Sequence, residues 1–107
     1  MAKVKLGDFE VTLNGELPKV GSPLPNFLLA DGDLNNVDLK QFKGKRLVLN
    51  IFPSMNTPVC SASVVQFNNL ASNFDNTVVL CISRDLAFGN KQFCINHNLN
   101  DIVFLSD

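Results

Sequence analysis

Residues 46–83 read RLVLNIFPSMNTPVCSASVVQFNNLASNFDNTVVLCIS, and this stretch decides the fold. Its first part, Arg46-Leu-Val-Leu-Asn-Ile-Phe52, is rich in β-branched and large apolar residues. It stops at Pro53, which cannot donate to a strand ladder, as a buried strand would. Its last part, Thr77-Val-Val-Leu-Cys-Ile-Ser83, has the same character. Between them Cys60, Val64, Phe67, Ala71 and Phe74 recur at steps of three and four. That spacing lines one face of a helix from about Val59 to Asn73. Strand, helix and strand in that order predict a β-α-β crossover.

The same logic extends outward. Asp85 reads as an N-cap for a helical stretch running to about His97, and Ile102-Val-Phe-Leu105 as a last short strand. Two consecutive crossovers imply a mainly parallel sheet with helices packed on it, a right-handed α/β arrangement. Upstream, Val4–Leu6 and Phe9–Leu13 are alternating runs separated by Gly7-Asp8, which predicts a hairpin, followed by a second turn at Asn14-Gly15. Residues 18–26 hold Pro18, Gly21, Pro23 and Pro25 and read as irregular backbone leading into a short strand, Phe27–Ala30, ended by Asp31-Gly32-Asp33.

Composition narrows the function classes. The 107 residues suit one small domain, 1–107, and 9 basic against 10 acidic side chains, scattered along the chain, leave no concentrated positive field for nucleic acid. No run approaches the roughly 18 apolar residues of a membrane-spanning helix, and the N-terminus lacks a signal-peptide core. The chain therefore reads as soluble, unexported and cytoplasmic, with neither membrane nor nucleic acid as partner. Three cysteines in a chain that is 46% hydrophobic do not resemble the dense, even sets that staple small secreted domains.

Cys60 falls in the first turn of the predicted helix, after the loop Ser54-Met-Asn-Thr-Pro58. The unpaired amides and dipole of a helix N-terminus favour a thiolate over a thiol. Loops beyond the carboxyl ends of parallel strands are also where ligands bind in open α/β sheets. Thr57, three residues before Cys60, can bring a hydroxyl to the sulfur, and Pro53 can shield the pocket from water. Equally, Thr57 and Pro58 suit the N-cap and N1 positions of a helix, and a lone cysteine is often an inert core residue. Cys94, beside Phe93, reads as an apolar-face helix residue, Cys81 between Leu80 and Ile82 as core, and His97 as a solvated residue near a helix end. A metal centre from Cys60, Cys81, Cys94 and His97 would lack the paired close spacing of zinc motifs.

Pro53-Ser-Met-Asn-Thr57-Pro-Val-Cys60 matches the Pro-x-x-x-Thr-x-x-Cys pattern of peroxiredoxin active sites. Together with Leu49–Ser54, Asn76–Ser83, Phe93-Cys94 and the N-terminal hairpin, the chain strongly resembles the bacterial thiol peroxidase subfamily, along all 107 residues. The resemblance implies a thioredoxin-like fold. It also implies a site of Cys60, Cys94, Thr57 and Pro53 with neither cofactor nor metal. Cys60 would reduce a hydroperoxide and become a sulfenic acid, Cys94 would resolve it to an intramolecular disulfide, and a thioredoxin-like donor would recycle the pair. It further implies local unfolding around both cysteines during the cycle, and a homodimer for the intact protein.

Three features depart from the family pattern. Asn56 stands where many relatives carry Asp, the arginine that steadies the thiolate has no counterpart, and the C-terminal third of the pattern is lacking. The missing third and arginine imply a fragment of a longer protein, with a portion supplied by another chain or a truncated variant as alternatives; Asn56 only removes a negative charge near Cys60. The missing third also implies an unpaired edge on strand 46–52. A redox-responsive binding or structural module is the competing reading. A thioredoxin-type exchanger is disfavoured because Ser63, three residues after Cys60, stands where a Cys-x-x-Cys motif has its second cysteine.

Overall fold

The computed structural model describes residues 1–107. Strands β1 (Lys3–Leu6) and β2 (Phe9–Thr12) form a hairpin in which Leu6 faces Phe9 across Gly7-Asp8. Gly7 takes φ +62°, the left-handed value that a glycine-first two-residue turn requires. Two further bonds, Leu13 N to Ala2 O and Ala2 N to Gly15 O, carry the ladder past β2.

The other strands, β3 (Leu28–Ala30), β4 (Asn36–Asp38), β5 (Arg46–Ile51), β6 (Thr77–Ser83) and β7 (Val103–Ser106), make one sheet in the order β4-β3-β7-β6-β5. β5, β6 and β7 are parallel, whereas β3 is antiparallel to both β7 and β4. Four strands thus share one direction and β3 alone opposes them, so the sheet is mainly parallel, as the two crossovers predict. β5 has only β6 beside it, which leaves its outer edge unpaired. β4 and the single 3₁₀ turn after it, Leu39–Phe42, were not expected from sequence. The turn is opened by a capping box in which the Asp38 side chain accepts from Lys40 N and Gln41 Oε1 accepts from Asp38 N.

Helices α1 (Pro58–Ala71) and α2 (Ala87–His97) fill the crossovers. Because β5→β6→β7 steps the same way each time and such crossovers are right-handed, both helices cover one face of the sheet. Strand alternation then divides the apolar residues in two. Val48, Phe52, Val79, Cys81 and Phe104 face the helices and pack with Val64, Phe67, Phe93 and Cys94. Leu47, Leu49, Leu80, Ile82 and Leu105 face the opposite side, where Val37, Phe27, Leu29 and Phe42 cover them. Two polar residues of α1, buried Asn68 and half-buried Ser63, tie the layers. Asn68 Oδ1 of α1 accepts from Asp101 N before β7, at 2.9 Å. Ser63 Oγ of α1 accepts from Asn50 Nδ2 of β5 at 3.3 Å while donating to Cys60 O at 2.8 Å.

α1 starts one residue before the expected Val59 and ends two before Asn73. β7 is shifted one residue toward the C-terminus. Neither change moves a side chain to a different face. The correction at α2 is larger: Asp85 is not its N-cap. Leu86 takes that position with no side-chain cap bond, because the Asp85 carboxylate is engaged elsewhere.

Candidate active site

The loop 52–57 leaves the carboxyl end of β5, and Phe52 N still donates to Ile82 O of β6 at 3.1 Å. Pro53 then ends strand pairing, and Met55 turns its side chain into the core shared with Val64 and Phe104. Thr57 is the N-cap of α1, with extended backbone at φ −98°, ψ 139°, and Pro58 follows at N1, as its preset φ suits. Val59 is therefore N2 and Cys60 N3, so the thiol lies within the first helical turn and is half-buried. The Thr57 hydroxyl donates to Ser54 O at 3.0 Å, closing the loop on itself, and both Thr57 and Pro53 are exposed.

The three cysteines are free thiols that meet one core cluster. Cys81 belongs to it and is fully buried on β6; Cys60 and Cys94 pack against it from α1 and α2. Burial pushes the Cys94 thiol up from its ordinary 9.0 to about 11. Burial also pushes Cys81 to about 11, partly offset by the Asn50 amide 3.9 Å from its sulfur and reinforced by the proximity of Cys94. In this conformation both stay protonated at neutral pH. Cys94 lines a small cavity of about 250 Å³ with Asp31, Gly32, Asp33, Lys91 and Phe104. Its neighbour Phe93 instead lines a cleft of about 450 Å³ with Met55, Asn56, Arg84, Asp85 and Leu86, against the loop that precedes Cys60.

The raised Cys81 value has a consequence for stability. From pH 9 upward an unfolded chain sheds a proton that the folded chain keeps until about pH 11, so stability is full below pH 9 and is lost as pH rises toward 11. At roughly 1.4 kcal/mol per pH unit, Cys81 accounts for about 2 kcal/mol of this loss. Urea unfolding between pH 8 and 11 is expected to show that decline, and Cys81→Ala is expected to make it shallower, leaving the part that Cys94 contributes. An equally steep decline in the variant would put its origin elsewhere.

Local sequence gave no sign of Asp85's role. Its Oδ1 accepts from Ser54 Oγ at 2.6 Å, and its Oδ2 accepts from Met55 N and from Ser83 Oγ, each at 2.9 Å. Burial alone would raise its pKa, but these three donors together outweigh that and hold the carboxyl below its ordinary range. Arg84, next to it, is 84% exposed and pairs loosely with Asp107 at 3.8 Å. His97 is exposed too, with its Nδ1 3.1 Å from Phe93 O and its ring stacked on Phe93 at 4.2 Å. No group of three or more His, Cys, Asp or Glu side chains is arranged to hold a metal ion, and no helix is long and apolar enough to cross a membrane.

Comparison with known proteins agrees with this architecture. The family model named Redoxin matches residues 19–107. The thiol peroxidase of Corynebacterium glutamicum is 44% identical over 106 residues, which are 99% of this chain and 64% of the relative. That of Vibrio cholerae is 45% identical over 93 residues, 87% of this chain and 57% of the relative. Among solved structures, a peroxiredoxin-like protein from Aquifex aeolicus superposes with TM-score 0.80 at 31% identity, covering 92% of this chain and 57% of its own. A thiol peroxidase from Chromobacterium violaceum superposes with TM-score 0.81 over 97% of this chain and 61% of its own; at 20% identity it speaks for the fold alone. The chain thus spans less than two thirds of the length of these relatives. With its thioredoxin-like peroxiredoxin fold and about 45% identity to thiol peroxidases, the chain belongs to the Redoxin family.

Proposed function

We propose that this chain carries the reacting cysteines of a thiol peroxidase. The observation that carries the reading is Cys60 at the third position of α1, half-buried at the carboxyl end of a parallel strand, in a chain 44% identical to a thiol peroxidase. Cys60, as thiolate, attacks the outer oxygen of a hydroperoxide; the O–O bond breaks, the alkoxide or hydroxide leaves and takes up a proton, and the sulfur becomes a sulfenic acid. Cys94 then displaces the sulfenic hydroxyl as water and forms a disulfide with Cys60. A dithiol donor of the thioredoxin kind supplies two electrons and two protons to regenerate both thiols.

Cys94 is held protonated by burial and faces its own cavity, so in this reading it attacks only after α2 has opened locally and the thiol has become hydrated. Thr57 sets the start of the helix that presents Cys60, and Pro53 ends β5 so that the loop can form. The whole protein acts as a homodimer on peroxide substrate without metal or organic cofactor, within one domain spanning 1–107 and further elements such as its relatives possess. A redox-responsive binding module is the second reading. It is favoured by one observation: the chain's two arginines, Arg46 and Arg84, are both exposed, and Arg84 is turned to Asp107.

The test is intact mass and peptide mapping after one equivalent of hydroperoxide, followed by turnover with a thioredoxin donor. A Cys60–Cys94 disulfide with repeated turnover is the expected result. The same disulfide without turnover favours the binding module, and no selective oxidation of Cys60 overturns both readings.

A further inference from the structure

Loop 52–57 has few ties to the rest of the fold. Met55 anchors it by its apolar side chain, and three of its polar bonds are internal: Asn56 N donates to Ser54 Oγ at 3.1 Å, and Thr57 N and Oγ1 donate to Ser54 O at 3.3 and 3.0 Å. Between the last ladder bond at Phe52 and the first bond of α1 at Thr57 O, the polar ties to the rest of the fold all end on one carboxylate, that of Asp85, through Ser54 Oγ and Met55 N. Asp85 is itself held from three sides. Ser83 Oγ donates to its Oδ2 and accepts from its amide at 3.2 Å, and Ser106 Oγ of β7 donates to its carbonyl oxygen.

From Asp85 the bonds run in series to the reactive turn. Ser54 is fixed by Asp85, Thr57 is fixed on Ser54, and Thr57 O accepts from Ser61 N at 3.1 Å, which is the first hydrogen bond of α1 around Cys60. A carboxylate accepting from two hydroxyls and an amide makes charge-assisted bonds, which are shorter and stronger than neutral ones. It therefore has a better grip on the loop than the loop's internal neutral bonds have on each other.

We propose that Asp85 is a positioning residue for Cys60, setting through Ser54 and Thr57 where the first turn of α1 begins and so where the Cys60 sulfur is presented. This rests on the reading of Cys60 as the reacting thiol. Asp85 immediately precedes Leu86, the N-cap of α2, so one side chain references the loop before Cys60 to the root of the helix that bears Cys94. When the first turn of α1 loosens for disulfide formation, Ser54 and Met55 stay pinned and the hinge falls between Ser54 and Pro58.

The test uses the full chain carrying Asp85→Ala, Asp85→Asn or Ser54→Ala, and it reads Cys60 in two ways. These are its second-order rate with hydrogen peroxide, and the rate and pH midpoint of its alkylation by iodoacetamide, followed by peptide mapping. Asp85→Ala is expected to slow peroxide oxidation of Cys60 by about tenfold or more, in line with the cost of small misplacements, and to move the alkylation midpoint. Asp85→Asn retains one acceptor oxygen and is expected to recover part of that loss. Ser54→Ala removes the Ser54–Asp85 bond of the series together with the local Asn56 N bond, and is expected to show the same effects in weaker form. A carboxylate that only stabilised the strand end would lower the melting temperature and leave both Cys60 readouts unchanged; that result in Ser54→Ala and in Asp85→Asn overturns the proposal. Failure of the Cys60 reading looks different. Wild-type Cys60 would then resist peroxide, while the alkylation comparison would still report on Asp85.

Discussion

Cys60→Ser is expected to abolish hydroperoxide-driven oxidation of the chain, leaving Cys81 and Cys94 as thiols after an equivalent of peroxide that fully oxidises the wild type. A thiolate is the nucleophile in this chemistry, and a serine hydroxyl does not ionise in the accessible pH range. Cys94 and Cys81 cannot substitute for it, because burial lifts both to about 11 and leaves almost none of either as thiolate at neutral pH. Cys94→Ser is expected to behave differently, arresting Cys60 as a sulfenic acid that dimedone traps and mass spectrometry reads. Cys81→Ser is expected to leave the oxidation of Cys60 intact. If Cys81→Ser stopped oxidation and Cys60→Ser did not, the assignment of the reacting thiol would be wrong.

The largest expected effect on stability is at Leu80. Its side chain is fully buried in β6, between β5 and β7, where it packs with Val37 and Leu105 on the face of the sheet that carries no helix. Leu80→Ala removes three carbons and leaves a void, since the neighbouring strands cannot close in across fixed ladder spacings. Such truncations cost about 3 kcal/mol, a large share of the roughly 5–10 kcal/mol available to a domain of this size. With a urea dependence of about 1–1.5 kcal/mol per molar, the unfolding midpoint is expected to fall by about 2 M. Ile51→Ala, at a side chain that is 68% exposed on the edge strand, is the matched control and is expected to change stability by less than about 0.5 kcal/mol. Equal shifts for the two variants would refute the packing argument.

Most of the frame was legible before any coordinates because its signals are local. β5 and β6 announce themselves as apolar runs. The three- and four-residue steps from Cys60 to Ala71 give α1 and its buried face, and the order of elements gives the sheet its direction. β4 was missed because Asn36-Val-Asp38 offers one apolar residue and no period, although the capping pair Asp38 and Gln41 beside it was there to be read. Asp85 shows the other limit. An aspartate just before a helical stretch has the local signature of an N-cap, yet its carboxylate is claimed by Ser54 and Met55, which lie 31 and 30 positions away in the chain. Side-chain competition over such distances is decided by the sheet bringing β5 and β6 side by side, and no window on the sequence contains both partners. The position of Cys60 was legible, because Pro53, Thr57 and Pro58 mark the helix start, and so was the apolar-face packing of Cys94 beside Phe93.

The join between β3 and β7 is a single facing pair, Ala30 with Ser106, whereas β5 and β6 are matched over six residues and β6 and β7 over four. The ladder of residues 46–106 is thus built from pairings at modest sequence separation, whereas the hairpin of β3 and β4 is joined to it by that one pair and by side-chain packing across most of the chain's length. Loop-closure entropy makes such a join late to form and early to yield. In folding, β5, α1 and β6 are expected to come first and the N-terminal strands to dock last. Under mild stress the order is expected to reverse, with amide exchange in β3 and β4 running ahead of exchange in β6.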